Sequence, residues 1–217
     1  MADASSPAGP RRRTVLAALA PLAAGLSGCS SAADPAARGP AAGPPQPGAK
    51  DTLIMLIRHA EKPYAGDTGE DEEGNDDPGS LAGRGHRRAE ELHRLFAPDR
   101  GALLPRPAAV FAPAGPIARS RQTVAGLAEA LGLPVRAQIP AGKEAALARA
   151  ALAAPAPVLI CWEHTGVPRL IHALGADRVP SVPAGWPDRH DLVWLFTRRR
   201  GEWTFRELGQ RLLPGDA

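Results

Sequence analysis

Residues 53–63 read LIMLIRHAEKP, and this stretch decides the fold. The run 53–57 is apolar without interruption, which is typical of a strand covered on both faces of a sheet. Arg58 and His59 follow at its carboxyl end, where open α/β sheets collect their ligands. The stretch therefore predicts a buried parallel strand that brings a permanent cation and an imidazole to a ligand site.

Two further segments repeat this pattern of an apolar run followed by polar residues. They are 108–112 (AAVFA), set between two prolines, and 158–162 (VLICW). Helical spacing fills the intervals over 81–96 and from Pro116 to Leu131, where Gly132 and Pro134 supply a stop. Alternating strands and helices predict a three-layer α/β/α sandwich with a mostly parallel sheet.

The first helical segment is amphipathic, and the last segment has a different pattern. Over 81–96 the apolar residues fall on one side, and Arg84, Arg87, Arg88 and Glu91 fall largely on another. Near the carboxyl terminus, 192–197 and 203–205 flank the turn sequence 198–201 (RRRG). This predicts a hairpin at one edge of the sheet.

The amino terminus has the three-part form of an export signal. Residues 11–29 read RRRTVLAALAPLAAGLSGC, and their apolar stretch is too short to span about 30 Å of hydrocarbon as a helix. The paired arginines resemble a twin-arginine signal, and 26–29 resemble a bacterial lipobox in which Cys29 is acylated. The alternative is an ordinary secretory signal with an incidental Cys29. The first interpretation predicts export to the cell envelope and a lipid anchor that holds the protein to a membrane.

Composition divides the remaining chain near residue 50. Residues 30–50 are rich in Ala, Pro and Gly and predict a disordered tether, whereas 51–217 predict one catalytic domain. The formal net charge is +3, but residues 1–28 hold three arginines against one aspartate, which leaves +1 for the rest. A nearly neutral domain is not expected to bind nucleic acid.

Four segments, in chain order, resemble the histidine phosphatase (phosphoglycerate mutase-like) superfamily. They are 57–63 (IRHAEKP), 81–85 (LAGRG), 119–123 (RSRQT) and 163–166 (EHTG). The resemblance covers roughly residues 51–216 and implies a phosphoglycerate mutase-like fold. It also implies a phosphohistidine on His59, with Arg58, Arg119 and His164 binding the phosphoryl group of a small phosphorylated substrate.

These residue types suit phosphoryl transfer, which depends on positioning and on stabilising charge spread over phosphoryl oxygens. The guanidiniums of Arg58 and Arg119 match those oxygens, and a protonated His164 would add a third positive contact. His59 must attack as neutral imidazole, so its other ring nitrogen is expected to donate to a backbone carbonyl. The helix opened by Pro116 is expected to present free N–H groups to the anion. No cofactor and no metal are expected.

The proton donor to the leaving group is the least distinct part of the pattern. Glu61 is the first choice for this general acid, and Glu163 is the second. The superfamily usually has Gly at the position of Ala60, whose Cβ restricts the backbone if a positive φ is required there.

A run of acidic residues over 67–77 contains seven carboxylates. One interpretation is a solvated loop, and the other is a lid over the pocket that disfavours polyanionic substrates. Structural roles are expected for the remaining histidines, His86, His93, His172 and His190. Cys161 is expected to be a small buried hydrophobe, and with Cys29 it allows at most one disulfide.

The pattern as a whole predicts a phosphatase that hydrolyses a phosphomonoester. Two alternatives remain at this point. One is a catalytically weak phosphate-binding lipoprotein that keeps the pocket for recognition, and the other is a phosphoglycerate mutase-type phosphotransferase.

Overall fold

A computed structural model of the protein describes residues 50–96 and 103–217. The expectations for the export signal 1–29, for Cys29 and for the tether up to residue 49 lie outside the described residues. In the part that the structure describes, no helix has the length and apolar character needed to cross a membrane.

The domain is built on one six-stranded sheet with the order β3-β2-β4-β1-β5-β6. The strands are β1 (Thr52–Arg58), β2 (Ala109–Phe111), β3 (Val135–Arg136), β4 (Val158–Trp162), β5 (Leu192–Arg199) and β6 (Glu202–Gly209). Strands β1 to β4 pair in parallel, whereas β5 runs antiparallel to both β1 and β6. The mostly parallel sheet with a carboxyl-terminal hairpin is therefore confirmed.

The hairpin turns over two residues, Arg200 and Gly201, with φ values of 52° and 86°. Positive φ at both central positions is the requirement of a type I′ turn, whose twist matches that of the paired strands. The predicted turn segment 198–201 is thus correct in place, although strand pairing continues through Arg199 and resumes at Glu202.

Helices cover both faces of the sheet. They are α1 (Gly83–Glu91), which continues into a 3₁₀ turn (Leu92–Leu95), α2 (Arg119–Leu131), α3 (Glu144–Ala153) and α4 (Val167–Leu174). Successive side chains of a strand point to opposite faces. Accordingly Ile54 and Leu56 pack with residues of α3 and α4, whereas Met55 and Ile57 pack with residues of α2 and the 3₁₀ turn. This confirms the three-layer α/β/α sandwich.

Two details of the helices differ from the prediction. Helix α2 begins at Arg119, three residues after Pro116, although it ends as expected with Gly132 in the left-handed region at φ 66°. Arg88, expected on the polar side of α1, is only 2% exposed. The reason is that the carboxylates of Glu61 and Asp216 accept hydrogen bonds from its guanidinium.

Candidate active site

The end of β1 carries the candidate nucleophile in one fixed form. His59 is buried, and its Nδ1 lies 2.7 Å from the carbonyl oxygen of Ala60. A carbonyl only accepts, so Nδ1 must hold the proton and Nε2 must hold the lone pair. The hydrogen bond from the second ring nitrogen to a backbone carbonyl, expected from the sequence, is present.

The surroundings of His59 keep its ring neutral. Burial lowers the pKa of His59 to about 4, and the positive charges of Arg58 and Arg119, with that of His190 when it is protonated, act in the same direction. The hydrogen bond to Ala60 opposes them but does not outweigh them. At neutral pH the ring therefore presents an unprotonated Nε2, which is the form that can attack phosphorus.

The backbone beside His59 is joined to α2 by a threonine. The Ala60 N–H donates to Thr123 Oγ1 at 2.9 Å, and the Thr123 hydroxyl donates to the Arg119 carbonyl at 2.7 Å. Ala60 is fully buried and is not among the residues with positive φ, so alanine fits where the superfamily usually has glycine. The segment 119–123 thus supports the backbone beside the candidate nucleophile and also carries Arg119.

Both candidate phosphate-binding arginines keep an unsatisfied donor. Arg58 is 3% exposed and pairs through Nη1 with the fully exposed Asp188 at 3.1 Å, whereas Arg119 Nη1 donates to the Pro78 carbonyl at 2.8 Å. Over residues 50–96 and 103–217, the Nε atoms of these two arginines are the buried side-chain nitrogens and oxygens that lack a hydrogen-bond partner. Buried donors normally have acceptors, so the pair favours an anion at this place.

His164 approaches the same region from the end of β4. It begins the 3₁₀ turn His164–Gly166 and is half-buried. Burial lowers the pKa of His164, and the positive charges of Arg58 and Lys62 lower it further. Strands β1 and β4 are adjacent and parallel with Arg58 opposite Trp162, so Arg58 and the residues that follow β4 lie at the same edge of the sheet. In the absence of a bound anion these effects disfavour the protonated form of His164, and a protonated His164 in contact with a phosphoryl group stays a prediction.

A buried carboxylate that the sequence did not single out packs against Gly166, at the end of the turn that begins with His164. Glu144 is 3% exposed and accepts from Trp162 Nε1 at 3.2 Å and from Arg169 Nε at 3.1 Å. A Cβ added to Gly166 would lie 2.5 Å from Glu144 Oε1, so glycine lets the turn approach closely. Burial alone would raise the pKa of Glu144, but its donors, Arg169 first, lower it to about 2.

Glu61, the first choice for general acid, occupies a different position. Its carboxylate pairs with Arg88 at 2.7 Å and with Arg84 at 3.0 Å, and Arg88 also pairs with Asp216 at 2.8 Å. Burial would raise the pKa of Glu61, but the hydrogen bond and the charge of Arg88 hold it below its usual value. A carboxylate held ionised by two guanidiniums is a poor proton donor, so the geometry does not favour the first choice. Glu163 stays half-buried beside His164.

The amino terminus of α2 does not offer all of its N–H groups to a ligand. The N–H groups of Ala118 and Arg119 both donate to the Gly79 carbonyl, at 3.0 and 3.3 Å. The expectation of free donors here is therefore wrong for these two groups, because the segment before α1 folds back onto the helix. The candidate anion-binding group of Arg119 is therefore its guanidinium.

The acidic segment 67–77 folds onto itself and onto the helices. Asp71 Oδ1 accepts from the backbone of Glu73 and Asn75, and Asp77 accepts from Gly79 and Ser80. The Glu70 carbonyl receives Gln122 Nε2 at 3.3 Å, which ties the segment to α2. These carboxylates organise a turn-rich loop, and the residue that follows it, Pro78, supplies the carbonyl that accepts from Arg119.

His190 is the site residue that sequence reasoning missed. Its Nδ1 lies 2.8 Å from the His59 carbonyl oxygen, and the two imidazole centroids are 5.5 Å apart. The signal in the sequence was the run 188–191 (DRHD), four polar residues directly before an apolar strand. The other three histidines fit structural roles: His172, for example, pairs with Asp177 at 2.9 Å.

The thiol of Cys161 and the lack of a metal-binding cluster in the described part of the chain also bear on the chemistry of the site. Cys161 is buried as expected, and burial raises the pKa of its thiol to about 12. Among the residues that the structure describes, no three or more His, Cys, Asp or Glu side chains are grouped so that they could hold a metal ion.

The protein has an α/β fold, and its candidate anion-binding side chains follow the carboxyl ends of parallel strands. Solved structures similar to this chain include a mycobacterial hydrolase ("Mycobacterial hydrolase 1"; 13% identity, TM-score 0.48, 76% of this chain and 100% of that one). Others are a mycobacterial glucosyl-3-phosphoglycerate phosphatase (13%, 0.46, 75% and 100%) and a phosphoserine phosphatase from Entamoeba histolytica (13%, 0.43, 75% and 100%). Neither a protein-family model nor a curated protein matches the chain. The fold assignment rests on the strand order and layers described above.

Proposed function

We propose that this protein is a metal-independent phosphatase of the histidine phosphatase superfamily, which hydrolyses a phosphomonoester through a phosphohistidine on His59. The observation that carries the proposal is the state of His59. Its Nδ1–H is held by the Ala60 carbonyl, so a neutral Nε2 is available beside two permanent cations. The superfamily resemblance of the segments around Arg58, Arg119 and His164 supports the same assignment.

The first half-reaction uses the lone pair of His59 Nε2. It attacks phosphorus, the bond from phosphorus to the ester oxygen breaks, and that oxygen leaves with a proton from a donor in the site. The phosphorylated ring carries a positive charge that the Nδ1–H···O hydrogen bond to Ala60 stabilises. Water then attacks phosphorus, the phosphorus–nitrogen bond breaks, the water proton passes to a base, and neutral His59 returns with inorganic phosphate.

The arginines bind the phosphoryl oxygens throughout both steps. Arg58 has an unpaired Nε–H for the substrate, and its contact with Asp188 can also be exchanged at little cost because Asp188 is fully exposed. The negative charge of a dianion bound beside Arg58 also favours protonation of His164, which would supply the third positive contact. We propose Glu163 as proton donor, because Glu61 is engaged by Arg84 and Arg88.

The position of Glu61 also favours the second candidate function, a catalytically weak phosphate-binding protein. Without a carboxylic acid at the leaving group, the pocket would bind phosphate esters and hydrolyse only those with good leaving groups. In either case we propose, from the sequence alone, that the protein is exported and anchored to a membrane by a lipid on Cys29.

One comparison separates these functions. The full chain is incubated with an aryl phosphate without added metal, beside His59→Ala and beside His172→Ala as the control for removing an exposed histidine. We expect His59→Ala to lose more than about 10³-fold in kcat/KM and the control to retain its rate. Equal turnover by His59→Ala and the parent would reject the mechanism. Phosphate binding without turnover in the parent would favour the binding protein.

A further inference from the structure

The peptide group between His59 and Ala60 is held from both sides by side chains of other elements. Its carbonyl oxygen accepts from His190 Nδ1 at 2.8 Å, and its N–H donates to Thr123 Oγ1 at 2.9 Å. His190 lies 131 positions along the chain from His59, in the loop before β5, and Thr123 lies in α2. Three separate parts of the fold therefore meet at a single peptide plane.

The ring of His190 also borders the ring of His59. Their centroids are 5.5 Å apart with the planes tilted by 44°, which limits the space in which the His59 ring can turn. Because Nδ1 of His190 donates to a carbonyl, the His190 proton is fixed on that nitrogen. Burial lowers the pKa of His190, so a neutral ring makes these contacts at neutral pH.

The loop that carries His190 is itself firmly attached. Arg189 forms two hydrogen bonds with Asp191, at 2.8 and 2.6 Å, and its carbonyl accepts from Trp186 Nε1 at 3.0 Å. The Asp191 carbonyl accepts from the Gln210 N–H at 2.7 Å. A ring supported in this way can transmit its own position to the backbone it contacts.

We propose that His190 is a positioning residue for the nucleophile. Its N–H fixes the peptide plane that follows His59, and this plane sets where the Ala60 carbonyl receives His59 Nδ1–H. The hydrogen bond and the ring contact together hold Nε2 in one orientation. The effect on rate rests on the proposed function, whereas the effect on the His59 tautomer does not.

The test uses the full chain with His190→Ala, His190→Asn and the surface control His172→Ala. Asparagine retains an N–H at nearly the position of Nδ1 but has no imidazole. Steady-state rates with an aryl phosphate give kcat and KM, inhibition by inorganic phosphate gives its affinity, and ¹⁵N-histidine NMR reports the proton on His59 Nδ1. Should His190→Ala fail to fold, His190→Leu fills the volume of the ring without donating and takes its place.

We expect His190→Ala to lower kcat by about 10- to 100-fold, the usual cost of a misplaced reacting group. KM and phosphate affinity should change by less than about threefold, because the arginines are untouched. His190→Asn should recover most of the rate, and the His59 Nδ1–H signal should weaken in the alanine variant and return in the asparagine variant.

Three results would overturn the proposal. They are parental kcat in His190→Ala, an asparagine variant as slow as the alanine variant, and a rise in KM with kcat unchanged. If the parent chain does not turn over substrate, the proposed function fails, and the NMR comparison decides alone. An unchanged His59 Nδ1–H signal in His190→Ala would then reject the positioning role.

Discussion

Replacing Glu61 by glutamine should damage the stability of the protein far more than its catalysis. The two possible roles of this residue predict opposite results. As a general acid, Glu61 would contribute about 10²- to 10⁴-fold to the rate. In the structure, Glu61 pairs with Arg84 and with Arg88, whose side chain is 3% exposed.

The expected loss follows from that ion-pair cluster. Removing one partner of a buried pair costs about 3–5 kcal/mol, because the remaining charge is left uncompensated. Arg88 keeps Asp216 at 2.8 Å, and the Glu61 side chain is 16% exposed, so the loss should be smaller. We expect Glu61→Gln to lower the free energy of unfolding by about 2–3 kcal/mol, or the Tm by about 5–10 °C.

The assay combines urea unfolding with steady-state kinetics at a temperature where both proteins are folded. Glu91→Gln makes the same chemical change in a surface pair with Arg94 and should leave the unfolding midpoint nearly unchanged. For Glu61→Gln we expect kcat within about threefold of the parent. A fall in kcat above about 100-fold with normal stability would refute this reasoning and make Glu61 the proton donor.

Two further predictions test the nucleophile and the turn at the end of β4. Since burial lowers the pKa of His59 to about 4, an NMR titration of the ligand-free protein should find its midpoint there, and a midpoint near 6.5 would contradict the buried geometry. His59 takes up a proton at higher pH in the unfolded chain than in the folded protein. The free energy of unfolding should therefore decrease as pH falls from 6.5 towards about 4. Gly166→Ala would put a Cβ 2.5 Å from Glu144 Oε1 and 2.8 Å from Trp162 Nε1 and should destabilise the fold by about 1–3 kcal/mol. Gly126→Ala, inside α2 with nothing within 4 Å, should instead raise the Tm, and equal changes in the two variants would contradict the role of the close contact.

All strands except β3, and the tautomer of His59, could be predicted because the signals for them are local. The apolar run 158–162 coincides with β4, and the partner of His59 Nδ1 is the carbonyl of the next residue. Gly132 ends α2 for a reason that is also visible in neighbouring residues, its freedom to take a positive φ. Patterns within a few residues are therefore sufficient to predict a mostly parallel sheet and to choose His59 as the candidate nucleophile.

The supporting contacts could not be predicted because they join distant positions. Asp216, which pairs with Arg88, lies 128 residues away from it, and helical spacing alone placed Arg88 on the polar side of α1. His190 and His59 are 131 positions apart, and the polar run 188–191 marks His190 as a candidate without showing that it contacts His59. The N–H groups at the start of α2 were expected to be free. They donate instead to the Gly79 carbonyl, whose position depends on how the long acidic segment before it folds.

The outermost strands of the sheet also bear on how the protein behaves at high concentration. One outer strand, β3, is only two residues long, and the other, β6, carries Glu202, Arg206 and Glu207 along its length. Short and charged outer strands resist pairing with strands of other molecules, which is the first step of many aggregates. The type I′ turn at Arg200 and Gly201 keeps β6 in register with β5. At high local concentration the domain should therefore resist forming β-sheets between molecules.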